Sequence, residues 1–201
     1  MALSAGCGDE ETTVAWMVFN FVGFQAVWWA CVLGAGANQA WAGPIALGLY
    51  AALHFRWSPA PARDVRLLLA AVLLGMVLDS TLAASGLLAY AAATSTSFAP
   101  IWILALWAGF ALTLKHSMAW FAHRPYAAAT FGLLGGPMAY AGAGAVAGAV
   151  SFPLGTGPAL AAVAVAWALA LPLLYWADAS STRPRLASSA STLGSLPRNP
   201  R

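Results

Sequence analysis

Along most of its length the chain alternates between long apolar runs and short breaks where Gly, Pro, Ser and Arg gather. The runs fall near 14–34, 41–55, 67–90, 100–121, 126–150 and 158–177. None shows the polar–apolar alternation of barrel strands. Each is apolar on every side, so helices that satisfy their own backbone are predicted. Most approach the roughly 20 residues that cross a hydrocarbon core. The second run is the shortest, and the fifth is diluted by Gly and Ala. The pattern predicts an all-α, polytopic transmembrane helix bundle of six spans.

Composition agrees. Of 201 residues, 61% are hydrophobic and 7% charged, against about 25% charged in soluble domains. No charge occurs between Glu11 and Arg56, or between Arg124 and Asp178. The chain divides into a short N-terminal segment (1–13), the transmembrane domain (14–177) and a tail (178–201). The tail is rich in Ser, Pro and Arg with little to bury, so it is predicted to be disordered. Asp9, Glu10 and Glu11 stand where a cleaved signal would carry basic residues, so the first span is expected to be retained. Cys7 and Cys31 offer no disulfide framework.

Charge sets the expected direction. Arg56, Arg63, Arg66, Arg124, Arg183 and Arg185 all fall on one side of the six spans, and the opposite connections contain no Lys or Arg. The positive-inside rule puts both termini in the cytoplasm. Trp16, Trp57, Trp120 and Trp176 are expected at headgroup level on that side and Trp41 and Trp102 on the other, with Trp107 and Trp167 as packing residues.

Against this apolar background a few polar residues stand out: Asn20, Gln25, Asp79, Lys115 and His116. Asp79 lies roughly 20 Å beyond Arg66 at 1.5 Å per residue. Its helical neighbours Gly75, Ala83 and Gly86 form a small-residue stripe. A charge there costs about 2.5–3.5 kcal/mol to insert, so it is expected to face the bundle interior. Lys115, on a helix running the other way, is the expected counter-charge. The alternative is that Lys115 snorkels to the interface. His116 points about 100° away from Lys115 on a helix. Asp79, Lys115 and His116 are therefore the candidate catalytic residues.

Metal-ligand candidates are His54, His116 and His123. No two have the i, i+4 spacing of strong zinc motifs, so no metal and no cofactor are expected. In the fifth run Pro137, after Gly135 and Gly136, frees a carbonyl and predicts a helix break. Gly132 with Gly136, and Gly144 with Gly148, have the spacing of close helix contact and are candidates for self-association.

The stretches "NFVGFQAVWWACVLG", "RLLLAAVLLGMVLDSTL", "APIWILALWAGFALTLKHSMAWF" and "GGPMAYAGAGAVAGA" together resemble domain-of-unknown-function family 2878, over roughly residues 17–176. The resemblance implies a multi-pass protein of the bacterial cytoplasmic (inner) membrane. It implies no assigned activity, though members are sometimes encoded beside fatty-acid-modifying enzymes such as cyclopropane synthase-like proteins. Membrane lipids are the expected partners, with a lipid-modifying enzyme as a further one, and no nucleic acid. Nothing resembles a nucleotide loop, a zinc signature or a serine nucleophile motif. The leading expectation is an accessory or assembly protein in membrane-lipid or envelope physiology. Two others stand beside it: an intramembrane lipid-modifying enzyme using Asp79 and His116, and a small transporter or proton relay.

Overall fold

The computed structural model describes residues 5–181, with side chains described from 12 to 180. Helices α1 (Ala5–Gly36) and α2 (Ala42–Trp57) form a hairpin. Its turn places Asn38 at a φ of 59°, a left-handed conformation that Asn tolerates better than most residues. Helix α3 (Pro61–Ala84) opens with a proline in its first turn, where a missing N–H costs nothing. The chain then passes through β1 (Ala89–Tyr90) to α4 (Ile101–Ala111), a 3-10 turn at Ala119–Phe121, α5 (Pro125–Ala147), β2 (Val150–Ser151) and α6 (Thr156–Ser181). Strands β1 and β2 pair antiparallel, Ala89 opposite Ser151 and Tyr90 opposite Val150, at the end of the bundle away from the arginines.

Three of the helices are long and apolar enough to cross a membrane: Thr12–Gly36 within α1, Pro61–Ala84 and Thr156–Ser180. Large apolar side chains cover the outside, among them Val22, Leu49, Leu73, Met138, Leu169 and Trp176. Inside lie Asn20, His54, Asp64, Asp79, Thr113 and Asp178. Apolar residues outward and charged residues inward are what lipid as a solvent demands. At the centre is α4, where Trp102, Ile103, Ala105, Trp107 and the run Ala108–Ala111 are all buried. A helix apolar all round has to be covered on all sides, and α1, α2 and α3 cover it.

Several expectations are corrected. The fourth run does not remain helical to Phe121. It leaves the α-helix after Ala111 and continues through turns held by short-range bonds such as Thr113 N–H to the Phe110 carbonyl (2.9 Å) and Met118 N–H to the Thr113 carbonyl (2.9 Å). Lys115 and His116 therefore sit in unwound chain, and a helical angle between them has no meaning. The break expected at Gly135, Gly136 and Pro137 is absent, for α5 is continuous through Pro137. Gly132 and Gly136 press that helix onto Trp167 of α6 so closely that a side chain at either would collide with it. Gly144 packs on the Val150 carbonyl, and Gly148 closes α5 with a φ of 62°. These glycines serve contacts and turns within the chain. Trp102 is buried in the bundle and donates its indole N–H to the Ala91 carbonyl (2.9 Å). Helix α6 runs past Ala177, so Asp178 belongs to the folded part. The remaining tail residues, 182–201, lie outside the described residues.

Candidate functional site

Three carboxylates organise the interior, and each draws on different elements. Asp79 is set by close packing of α3 on α4. Gly75, one turn before it, leaves room for the Trp107 indole, which a side chain there would strike. The Trp107 N–H then donates to Asp79 Oδ2 at 2.7 Å. Tyr90 of β1 donates to Oδ1 at 2.6 Å, and the Tyr140 hydroxyl of α5 donates to the same oxygen. Four elements meet on one buried carboxyl through three donors. The expected partner is not among them. Lys115 pairs instead with Asp178 Oδ2 at 3.0 Å, so the Asp79–Lys115 pair is overturned.

Asp178 lies near the end of α6 and also takes a two-pronged bond from Arg63, Nε to Oδ1 at 2.6 Å and Nη2 to Oδ2 at 2.9 Å. A planar guanidinium matches a carboxylate in this way better than an ammonium does. Lys115 thereby ties the unwound stretch to α6 and, through Asp178, to α3.

The third carboxylate, Asp64, occupies the first turn of α3, where the helix N-terminus favours negative charge. Its Oδ2 accepts from Ser58 Oγ (2.5 Å), His54 Nε2 (3.0 Å) and His116 Nε2 (3.4 Å). The two imidazoles meet edge to face with centroids 4.8 Å apart. On the far side of His116, the Trp16 indole N–H points at Nδ1 from 3.0 Å. An indole N–H only donates, so Nδ1 carries a lone pair and the ring proton resides on Nε2, facing Asp64. The Ser58 hydroxyl bonds the carboxylate and neither imidazole, unlike a serine nucleophile activated by an imidazole base.

His54, Asp64 and His116 offer ligand atoms within 4.8 Å of one another, the spacing of a metal set. The surrounding groups do not fit an ion. A ligating histidine keeps its lone pair on the metal side and donates its other N–H to an acceptor. His116 has the reverse, a donor behind it and its proton in front. The third histidine candidate, His123, is not part of this set.

Asn20 joins this cluster to the backbone. Its amide N–H₂ donates to Tyr50 Oη (2.7 Å) and the Leu112 carbonyl (2.9 Å), and lies 3.4 Å from His54 Nδ1. Its carbonyl oxygen accepts from Ser117 Oγ (2.7 Å) and Ser117 N–H (3.3 Å). Tyr175 of α6 donates to the Met118 carbonyl at 2.8 Å. The backbone that α4 abandons is thus bonded by side chains of α1 and α6. Irregular backbone at membrane depth persists only where protein supplies its partners.

Of the residues singled out from sequence, Asn20 and His116 share a cluster, Asp79 and Lys115 belong to two others, and Gln25 is exposed on α1. The sequence did not mark Tyr50, Ser58, Tyr90, Tyr140 and Asp178 as partners, and offered Asp64 only as a carboxylate within reach of the histidines. Tyr50 and His54 do carry a signal, since residues four apart share one helix face.

Fold and interior together define a helical membrane protein with an apolar outside. Within that class the chain belongs to the family described as protein of unknown function (DUF2878), whose model matches residues 17–173. No curated protein and no solved structure matches it.

Proposed function

We propose a six-span protein of the bacterial inner membrane, both termini cytoplasmic, that acts as an accessory or assembly protein in membrane-lipid or envelope physiology. The observation that carries the non-catalytic reading is the use made of the polar groups. Among the described residues every fully buried side-chain nitrogen and oxygen has a partner, and the Asn20, His116 and Lys115 side chains are engaged in holding residues 112–118. A base or acid serving a substrate needs a free direction to it. The six-span reading is supported by the one-sided arginines and by helices alternating in direction along hairpins. It places the Asp64 and Asp178 clusters at the cytoplasmic end and Asp79 deeper.

Two experiments bear on this. Reporter fusions after Gln39, Ser95 and Thr156 are expected to report periplasm, and fusions after Arg63, Arg124 and Arg185 cytoplasm. One inverted site breaks the topology. His116→Gln keeps a donor toward Asp64 but cannot relay an imidazole proton. It is expected to accumulate normally and to rescue whatever phenotype deletion of the protein produces. A well-folded variant that fails to rescue would refute the accessory role.

A further inference from the structure

Gln25 is the polar residue that the three clusters leave unused. It lies midway along the membrane-length part of α1, Thr12–Gly36, and its side chain is exposed. It makes no hydrogen bond among the described residues. An amide facing hydrocarbon without a partner is costly, and interior packing does not account for it.

Its surroundings are concave. Helices α1 and α5 touch where Gly36 meets Ala147 and where Trp28 reaches Gly142, then separate. The slot that opens between them has a volume of about 330 Å³, with Gln25 on its wall and Trp29, Phe110 and Phe131 among its aromatic lining. That size falls within the range of small-molecule sites. Phe24, Trp28 and Ala139 line both this slot and an inner cavity of about 50 Å³, which reaches Trp107 and Tyr140. The slot therefore borders the interior across these three side chains, and one polar group stands in an otherwise apolar, largely aromatic wall.

We propose that this slot binds a lipid-soluble quinone, with a ring oxygen bonded to Gln25 and the flat ring against the aromatic side chains. The inference rests on the membrane placement of α1 proposed above. Three features select this chemistry. The polar atom of the ligand has to lie near mid-membrane, whereas phospholipid esters and headgroups lie about 15 Å away at the edge of the core. Aromatic faces suit a flat conjugated ring better than a flexible chain. An amide both donates and accepts, so it serves the carbonyl of a quinone and the hydroxyl of a quinol alike. A second copy of the chain would satisfy Gln25 through interhelical bonding, but a helix cannot fill the cavity behind it.

The test uses the full chain in nanodiscs of phosphatidylethanolamine and phosphatidylglycerol, titrated with a benzoquinone bearing a two-isoprene tail and followed by tryptophan quenching. Wild type is expected to show a saturable component above the linear quenching caused by partition. Gln25→Leu is expected to weaken it about tenfold, the worth of one hydrogen bond, with an unchanged thermal midpoint. Ala139→Phe, which puts a ring into the lining of the slot, is expected to reduce it as well. Purely linear quenching in wild type, or identical curves for wild type and Gln25→Leu, would overturn the proposal. So would a dimer in wild type that Gln25→Leu converts to monomer, since the amide would then serve a second copy. If the fusions after Gln39 and Arg63 report the same side, the membrane frame itself is wrong. If the fusions hold and quinone binding fails, only this inference falls.

Discussion

Asn20→Leu is expected to destabilise the protein by about 4 kcal/mol, because it strands several buried groups at about 1–3 kcal/mol each. The Leu112 carbonyl loses its bond, the Ser117 N–H and hydroxyl lose theirs, and Tyr50 loses its donor. Leucine adds apolar volume but supplies no partner to any of them. The damage should be focused on residues 112–118, where the chain has no helical bonds to fall back on. Two measurements check this in detergent: the thermal midpoint, and the rate of tryptic cleavage after Lys115, which should rise. Asn20→Asp retains the acceptor for Ser117 and loses the donor to Leu112, so its loss should be smaller. A wild-type midpoint with unaltered cleavage for Asn20→Leu would show that the unwound stretch is held by other means.

Asp79→Ala and Asp79→Asn should behave very differently. Alanine leaves the donors of Tyr90, Trp107 and Tyr140 facing a void, an expected loss of about 3–5 kcal/mol at roughly 1–3 kcal/mol for each stranded donor. Asparagine can replace the carboxylate almost atom for atom. Its oxygen takes the Oδ2 position, because Trp107 can only donate, and its amide faces the tyrosine hydroxyls, which can turn to accept. Each of the three partners keeps a bonded contact and none is left facing a void, so Asp79→Asn is expected within about 1 kcal/mol of wild type. Thermal midpoints of the two variants decide the matter; equal damage would mean that the negative charge itself is required. The same geometry makes Asp79→Asn and Lys115→Met additive, since the two residues share no partner. Coupling is expected between Lys115→Met and Asp178→Asn, at up to about 1 kcal/mol for a partly exposed pair.

Reading the site from sequence failed at an identifiable step. "ALTLKHSMAWF" continues an apolar run, and a helix was the natural assignment for it. From that assignment followed the expected pairing of Lys115 with Asp79 and the separation of His116 from Lys115. Local pattern carries no mark of the unwinding, because the bonds that compensate it come from Asn20, Tyr175 and Asp178, each far away along the chain. The same holds for Pro137. Its lost hydrogen bond predicts a break, while the contact of Gly132 and Gly136 with Trp167 keeps α5 continuous.

What the sequence determined by itself was whatever depends on composition and period. The long charge-free runs required helices in an apolar environment, since only helices satisfy their own backbone there. The small neighbours of Asp79 implied an inward carboxyl, and Gly75 does admit Trp107 beside it. Tertiary structure decided which charge meets which. Asp64, Asp79 and Asp178 are equivalent as letters, yet one received hydroxyl and imidazole donors, one tyrosine and indole donors, and one two cations. Pairing depends on where helix ends fall to within a turn, about 5 Å along the axis. A hydrogen bond tolerates only a few tenths of an ångström. Hydrophobic pattern locates helices to the coarser of these lengths, and packing supplies the finer one.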